Sequence, residues 1–599
     1  MELDKEDRAR VKKLGISSVL DLALLVPHSY ENLSLEKTLH VGIAQLVDAT
    51  VNSVVRTPNS IKIILYSHNF SHSLEAVFFK PKPYMLHQFI VGERYYLYGV
   101  INCNSGHCTL SQPKKVTMAA GIVPKYKTAL RNDTMMRFMQ KHLSEENLLA
   151  EGIKEEMIKK ILAVHFPKEK MPIEPKMGFM QEYVETFKYL ELYHNMRQLA
   201  KKRRYLPCKE QLYGEYQAWQ NTLAFELTSE QLKAIKDIQN DLSKEVAAKR
   251  MIVGDVGSGK TMVILASVMM TRPHRAVLMA PTTLLANQLY EEALKFLPDV
   301  KTVLVTNKTA KVDLSRFDFI IGTHALLYRE LPDIALVMVD EQHRFGTAQR
   351  NLLDKLVSSD ETRAHFLQFS ATPIPRTQAM IQTAHIDVSL ITTTPFKKDI
   401  TTHVIHKEDF PSLLKHIKAE IAQGHQVLLV YPLVEESEAF VYQSISEARG
   451  FWENKFDNVY VTHGKDKEKE KVLFDFRENG DILIATTVVE VGISLPRLST
   501  VVIVGAERLG LSTLHQLRGR VSRTGLKGYC KLFTYQTKSE RLEQFCKTKS
   551  GFDIAELDLK FRKSGDLLKG INQSGSEYKW IDLSEDSAIV AEVKKDLGI

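Results

Sequence analysis

The stretch LVMVDEQHRFG, at 336–346, carries an apolar run directly into two adjacent carboxylates, Asp340 and Glu341. Such a run reads as a buried strand, and a carboxylate moved out of water needs a counter-charge. A strand end with solvated acids would satisfy the pattern, and so would a metal ion with a water. The stretch GDVGSGKT, at 254–261, decides between them. It fits G-x-x-x-x-G-K-T and lies between RMIVGD, which reads as a strand, and MVILASVMM, which reads as a helix. Backbone N–H groups of Gly254, Asp255, Val256, Gly257, Ser258 and Gly259 can wrap around phosphates, and the helix turns its positive end towards them. Lys260 would reach the β and γ phosphates, and the Thr261 hydroxyl would hold Mg²⁺. Asp340 is then placed to hold the same Mg²⁺, and Glu341 to orient and activate the attacking water. The chemistry expected of these residues is hydrolysis of a bound nucleotide.

These residues need a sheet to place them. From about residue 225 apolar strands alternate with amphipathic helices, the pattern of a mostly parallel sheet covered on both faces. RMIVGD, RAVLMAP, KTVLVT, DFIIGTH, LVMVDE and HFLQFSATP form one series, and HQVLLVYP, NVYVTHG, DILIATT, TVVIVGA and GYCKLFTY a second. TTTPFKKDITT, near 392–402, reads as the hinge between two α/β lobes. Upstream, the first 45 residues read as helical. ATVNSVV, IKIILY, SLEAVFF, RYYLYGVI and HCTLSQP then read as five short strands, which fit a small barrel of the OB kind. A helical stretch follows, to the basic run KKRR at 201–204, with Val184, Phe187, Leu190, Tyr193 and Met196 on one buried face.

The expected organisation is therefore multidomain. N-terminal helices and an OB-like barrel occupy 1–125, a helical linker 126–215, an ATP-binding RecA-like lobe 216–395, a second RecA-like lobe 396–545, and a small helical element 546–599. A chain of 599 residues with 44% hydrophobic and 25% charged residues has the composition of a soluble globular protein. No apolar run is long enough to span a bilayer, and the start MELDKEDRARVKK is charged rather than signal-like, so a cytoplasmic protein with no membrane partner is expected. Five cysteines are too few and too scattered for a disulfide framework, and Cys103 and Cys108 form a lone C-x4-C without the second pair that a zinc site needs. A net charge of +8 permits an anionic partner without demanding one.

LTSEQ, APTTLLANQ, GTHALL, DEQH, SATPIPRT, ATTVVEVGISLP and QLRGRVSR follow one another in the order of the superfamily 2 helicase motifs. That resemblance implies an adenine-reading Gln231, ATP bound in the cleft between lobes, and Arg520 and Arg523 supplied from the second lobe beside Gln516. DEQHRFG, SATPIPRT, EESE at 435–438, ERLGLSTLHQLRGR and GDLLKGINQSG resemble, more narrowly, the RecG family of branch-migration DNA helicases. LLVPHSYENL resembles an element that precedes the family's wedge. AVFFKPKPY resembles the wedge stretch whose aromatics contact bases, here Phe79 and Tyr84. The resemblance covers nearly the whole chain. It implies a monomeric, ATP- and Mg²⁺-dependent motor on duplex DNA that remodels stalled replication forks and Holliday junctions in recombination and repair, with a single-strand binding protein as a further partner.

The chain departs from that family's pattern at defined positions. Thr283 stands where APTELLA has an acid, Ser494 where GVDVP has one, and Ser522 where RVGRG has a glycine. The C-terminal TRG element appears as RKSGDLLKGINQ at 562–573, keeping Arg562 as a candidate DNA contact but lacking its second arginine. These changes bear on coupling hydrolysis to movement rather than on the ATP site. The 201–204 run and Lys114–Lys115 could meet a phosphate backbone or simply be solvated. His324 and His343 stand apart from other ligand types. Competing readings are an RNA helicase, a transcription-coupled repair or primosomal translocase, and a binding protein whose ATP site only gates a switch.

Overall fold

Alternation along the early strands sends one set of side chains inward and closes them into a barrel. β1 (Ser29–Asn32) comes first, then β2 (Ala44–Thr57), β3 (Ser60–Ser67), β4 (His72–Phe79), β5 (Arg94–Asn104), β6 (His107–Ser111), β7 (Lys114–Val116) and β8 (Ile122–Lys125). The sheet runs β2-β3-β4-β6-β5-β7, and β2 pairs back onto β5, so five strands close on themselves. All these pairs are antiparallel except β4 with β6. Val47, Ile61, Ile63, Leu65, Leu97 and Leu110 fill the interior, as period-2 strands with one buried face require. Four of the five expected strands correspond to β3–β6, and the fifth to the middle of β2.

The structure, a computed structural model, describes residues 3–57, 59–80, 88–104, 107–168, 181–203, 205–341, 344–346, 348–349, 352–353, 361–396, 398–434, 442–487, 495–522, 525–569 and 578–599, with the side chains of 562–569 outside the description. They fall into two units, Met1–Asn195 with Tyr578–Ile581, and Met196–Glu577 with Asp582–Ile599.

In the first unit, two differences from the sequence expectation stand out. The N-terminal stretch is not helical throughout: after helices Lys5–Leu14 and Val19–Ala23 it forms β1, which pairs antiparallel with β8. SYEN has no apolar alternation, so its strand state depends on that distant partner. Second, Cys103 and Cys108 are joined in a single disulfide, a pairing that cysteines read as too few and too scattered for a disulfide framework did not suggest. The β5–β6 register sets the two residues directly opposite each other, a proximity their C-x4-C spacing alone does not reveal. Helices Asn132–His142, Glu145–Ala150 and Glu155–His165 complete the unit, and the returning C-terminal segment joins it. There the backbone N–H groups of Lys579 and Trp580 each donate to the Glu191 carboxylate at 2.7 Å, and Trp580 stacks on Phe187.

His165 is fully buried in this unit, bonded to Ala23 O at 2.8 Å and to the Tyr126 hydroxyl at 2.9 Å. Burial pulls its pKa down to about 4. Because the folded value lies below the unfolded one, the unfolded chain binds the extra proton. The contribution is full above about pH 6.5 and is lost as pH falls towards 4. The first unit is expected to lose on the order of 3 kcal/mol of unfolding free energy across that window from this group. Urea unfolding at pH 7 and pH 4.5, read from peptides within 126–165 by pulse hydrogen exchange at one labelling pH, measures it. A His165→Gln chain should show a flatter pH dependence, and an unchanged one would remove His165 as the cause.

The second unit holds two parallel sheets. The first orders β11-β12-β10-β13-β14-β9-β15 from β9 (Lys249–Gly254), β10 (Ala276–Met279), β11 (Thr302–Val305), β12 (Phe319–Gly322), β13 (Leu336–Asp340), β14 (His365–Ser370) and β15 (Asp387–Ile391). The second orders β16-β21-β20-β17-β19-β18 from β16 (Ile400–Ile405), β17 (Gln426–Val430), β18 (Val459–Thr462), β19 (Ile482–Ala485), β20 (Leu498–Val504) and β21 (Gly528–Phe533). Strands at the sheet centres, such as AVLM and QVLLV, are buried on both faces, as parallel sheets sandwiched by helices require. Among the described residues, no helix is long and apolar enough to cross a membrane.

Candidate functional site

β9 ends at Gly254, and a loop leads into the helix Lys260–Thr271. Gly257 and Gly259 have φ of +81° and +75°, and a Cβ at 259 would lie 2.3 Å from Gln231 Nε2. Glycine is therefore required there both for conformation and for close approach. Lys260 Nζ donates to Gly254 O at 2.9 Å and to Asp255 O at 3.0 Å, which curls the ammonium into the hollow of the loop. Gln231 lines the cavity at this loop and braces it. Its Oε1 accepts from Thr228 N at 2.7 Å in a capping box, and its Nε2 donates to Ser258 O at 2.8 Å.

Asp340 ends β13, which runs parallel to β14 and is buried up to Val339, and Glu341 follows it. Burial first, and the neighbouring Glu341 second, push Asp340 well above the usual carboxylate range, against the pull of the Lys260 ammonium. Asp340 Oδ1 is buried and has no hydrogen-bond partner among the described residues. Glu341 adopts φ +52°, a left-handed conformation that costs a non-glycine residue on the order of 1–3 kcal/mol. It is held there by its N–H to Phe369 O at 2.8 Å, while its carboxylate accepts from Ala371 N at 2.6 Å.

The second lobe reaches this site through the helix Leu511–Arg518 and the turn after it. Gln516 Nε2 donates to Thr372 Oγ1 at 2.7 Å, and its Oε1 accepts from Arg344 at 3.3 Å, so one amide ties the lobes together. Arg520 is buried and lines the same cavity of about 440 Å³ as Lys260, Thr261, Asp340 and Glu341. Ser522, also on the lining, has φ +63°, which explains why the related pattern carries glycine at this position.

Three residues that sequence reasoning did not assign belong to this site. Lys398, in the hinge, donates to Val256 O at 3.0 Å and to Gly519 O at 3.4 Å, bridging the phosphate loop and the second lobe. Phe396 is 72% exposed on the cavity wall, where an apolar face is open to a ligand. His515 donates from Nε2 to Asp255 at 2.5 Å, and the same carboxylate accepts from Gly551 N at 2.8 Å. Arg518 donates to His515 Nδ1 at 3.1 Å, which fixes the proton on Nε2. Burial opposes the charge on Asp255, yet His515 and the N–H groups of Gly551 and Val256 hold its pKa down at about 2. The adjacency of His515 to Gln516 was the one available signal. Nothing in the hinge composition marks Lys398.

Other expected residues are placed as follows. Phe78 points into the barrel and Phe79, next along β4, is 57% exposed. Tyr84, Arg523, Ser494, His343 and the 435–438 acids lie outside the described residues, as does the side chain of Arg562, whose backbone is in the helix Gly551–Lys569. Lys114 pairs with Glu31, and Lys115 lies 4.2 Å over the Tyr95 ring, so both have protein partners.

Two parallel α/β lobes, with a phosphate loop and paired acids on one and an arginine brought in by the other, define a helicase motor. Residues 228–381 match the DEAD/DEAH box helicase family, and 408–525 match the helicase conserved C-terminal domain. The chain is 45% identical over 603 residues to the ATP-dependent DNA helicase RecG of Helicobacter pylori, covering 98% of this chain and 97% of that one. Identity to the Aquifex aeolicus protein of the same name is 32%, covering 99% of this chain and 83% of that one. A structure of RecG bound to a three-way DNA junction superposes with a TM-score of 0.57 at 25% identity, covering 98% of this chain and 84% of that one. The chain belongs to the RecG family of ATP-dependent DNA helicases.

Proposed function

We propose that this helicase hydrolyses ATP between its lobes to drive itself along duplex DNA, and that its substrates are branched: stalled forks and Holliday junctions met in recombination and repair. The observation that carries the reading is the likeness, over 98% of the chain, to a RecG solved on a three-way junction. Within the cavity, Gly254 to Thr261 bind the phosphates, and Gln231 steadies that loop and is assigned to the adenine. Lys260 and Arg520 offset charge on the transferred phosphoryl group, with Arg523 assigned the same task, and Glu341 takes the proton of the attacking water.

Mg²⁺ fits this donor set, because Asp340 presents a buried oxygen without a partner among the described residues, and Thr261 lines the same cavity. Those two side chains would hold the ion, which supplies charge neutralisation on the β and γ phosphates when bound. One chain supplies both lobes, which supports a monomer. A protein acting on replication forks would work in the cytoplasm, and a single-strand binding protein on bared strands is its proposed further partner.

Phe79, Tyr84 and Arg562 are proposed DNA contacts. Phe79 is tested together with the function. ATP turnover should rise most with fork DNA, less with linear duplex and least without DNA. Stacking on one aromatic is worth about 1–3 kcal/mol per base, so Phe79→Ala should weaken fork binding roughly five- to hundredfold while leaving linear duplex affinity unchanged. Equal turnover on fork and linear duplex would sink the branched-DNA reading. Equal affinity losses in the variant would sink only the role of Phe79.

A further inference from the structure

The first lobe has a second cavity, of about 530 Å³, at the opposite end of its strands from the phosphate loop. Lys249, which begins β9, and Asp387, which begins the parallel strand β15, both line it, whereas the phosphate loop follows the other end of β9. The six residues of β9 put roughly 17 Å between the two sites at about 3.3 Å per residue.

The lining gathers positive charge. Lys202, Arg203, Lys244, Lys249 and Arg363 face two carboxylates, Asp241 and Asp387. Both carboxylates are already engaged: Asp387 with Arg203 at 2.7 Å, and Asp241 with Lys244 at 2.8 Å and Arg250 at 2.7 Å. His385 senses the field of these cations. Burial lowers its proton affinity, and Lys249, Lys202 and Arg203 lower it further. Its Nδ1 is buried without a hydrogen-bond partner among the described residues. Cations held around one hollow repel each other, and an anion with several oxygens would relieve that repulsion while accepting from lysine, arginine and imidazole donors. A single carboxylate has too few oxygens to reach donors on so many sides of the hollow. We propose that this cavity, lined by Lys202, Lys249, Arg363 and His385, binds phosphate groups, either of a nucleic-acid backbone or of a free polyphosphate. Lys202 and Arg203 of the basic run thereby gain a ligand rather than only solvent.

The test uses the full chain with a saturating non-hydrolysable ATP analogue and Mg²⁺, so that the ATP site is filled. Inorganic pyrophosphate is titrated by calorimetry, and fork binding is measured across a salt series, for wild type and for Lys202→Ala/Lys249→Ala. Pyrophosphate binding that weakens at least tenfold in the variant identifies a free polyphosphate. Absence of pyrophosphate binding, with a log affinity against log salt slope shallower by about 2 in the variant, identifies the DNA backbone at about 0.9 per contact. Pyrophosphate binding equal in both proteins, or no binding together with an unchanged slope, overturns the proposal. DNA-free ATP turnover should be equal in both, because the ATP site is at the other end of β9. If the double variant loses that turnover, Lys202→Glu, on an exposed side chain, repeats both measurements.

Discussion

Replacing Arg520 with alanine should lower saturated ATP turnover by about 10³-fold or more while hardly changing nucleotide affinity. Arg520 is buried on the wall that the second lobe contributes, facing a cavity it shares with Lys260 and the two acids. A guanidinium fixed there opposes charge that spreads over the phosphoryl oxygens only in the transition state, so its removal affects kcat rather than binding. Arg520→Lys should not restore the rate, since an ammonium lacks the planar fork of donors. The measurements are kcat with fork DNA at saturating ATP and, separately, the Kd of a non-hydrolysable analogue. A variant that binds ATP poorly yet turns over normally when saturated would mark Arg520 as a ground-state contact.

Glu341→Gln is the second large effect. The amide oxygen can still accept from Ala371 N, which now meets the carboxylate at 2.6 Å, so the side chain should keep its place. What is lost is the capacity to take a proton from water, a contribution of roughly 10²–10⁴-fold. Nucleotide should bind through Lys260 and its loop as before. Single-turnover hydrolysis that retains more than about a tenth of the wild-type rate would assign the base elsewhere.

How far the sequence disclosed this arrangement depended on burial. Central strands such as LVMVD and QVLLV are apolar at nearly every position because both faces are covered, so their composition announces them. The edge strands β15 and β16 were not foreseen. DVSLI and ITTHVI are only partly buried and carry polar side chains, and TTTPFKKDITT read as a hinge up to residue 402 although β16 begins at Ile400. The barrel was legible through alternation, and the parity that buries Phe78 also turns Phe79 outward. The phosphate loop and acids were legible because their chemistry is local in sequence. The contacts of Lys398, His515 and Gly551 were not, because each depends on a partner more than a hundred residues away that only the packed lobes bring near.

Asp255 has a consequence beyond holding the phosphate loop in shape. Its carboxylate is shared by Val256, by His515 and by the first N–H of the helix Gly551–Lys569. A single buried charge thus belongs at once to the nucleotide's cradle and to the root of the helix that ends in the altered TRG element. Thermodynamic linkage makes that sharing reciprocal: the free energy by which a nucleotide favours this arrangement of the helix root is the free energy by which the arrangement favours the nucleotide. A load applied through residues 551–569 should therefore be felt as a change in ATP affinity, which makes nucleotide binding a readout of strain in that helix.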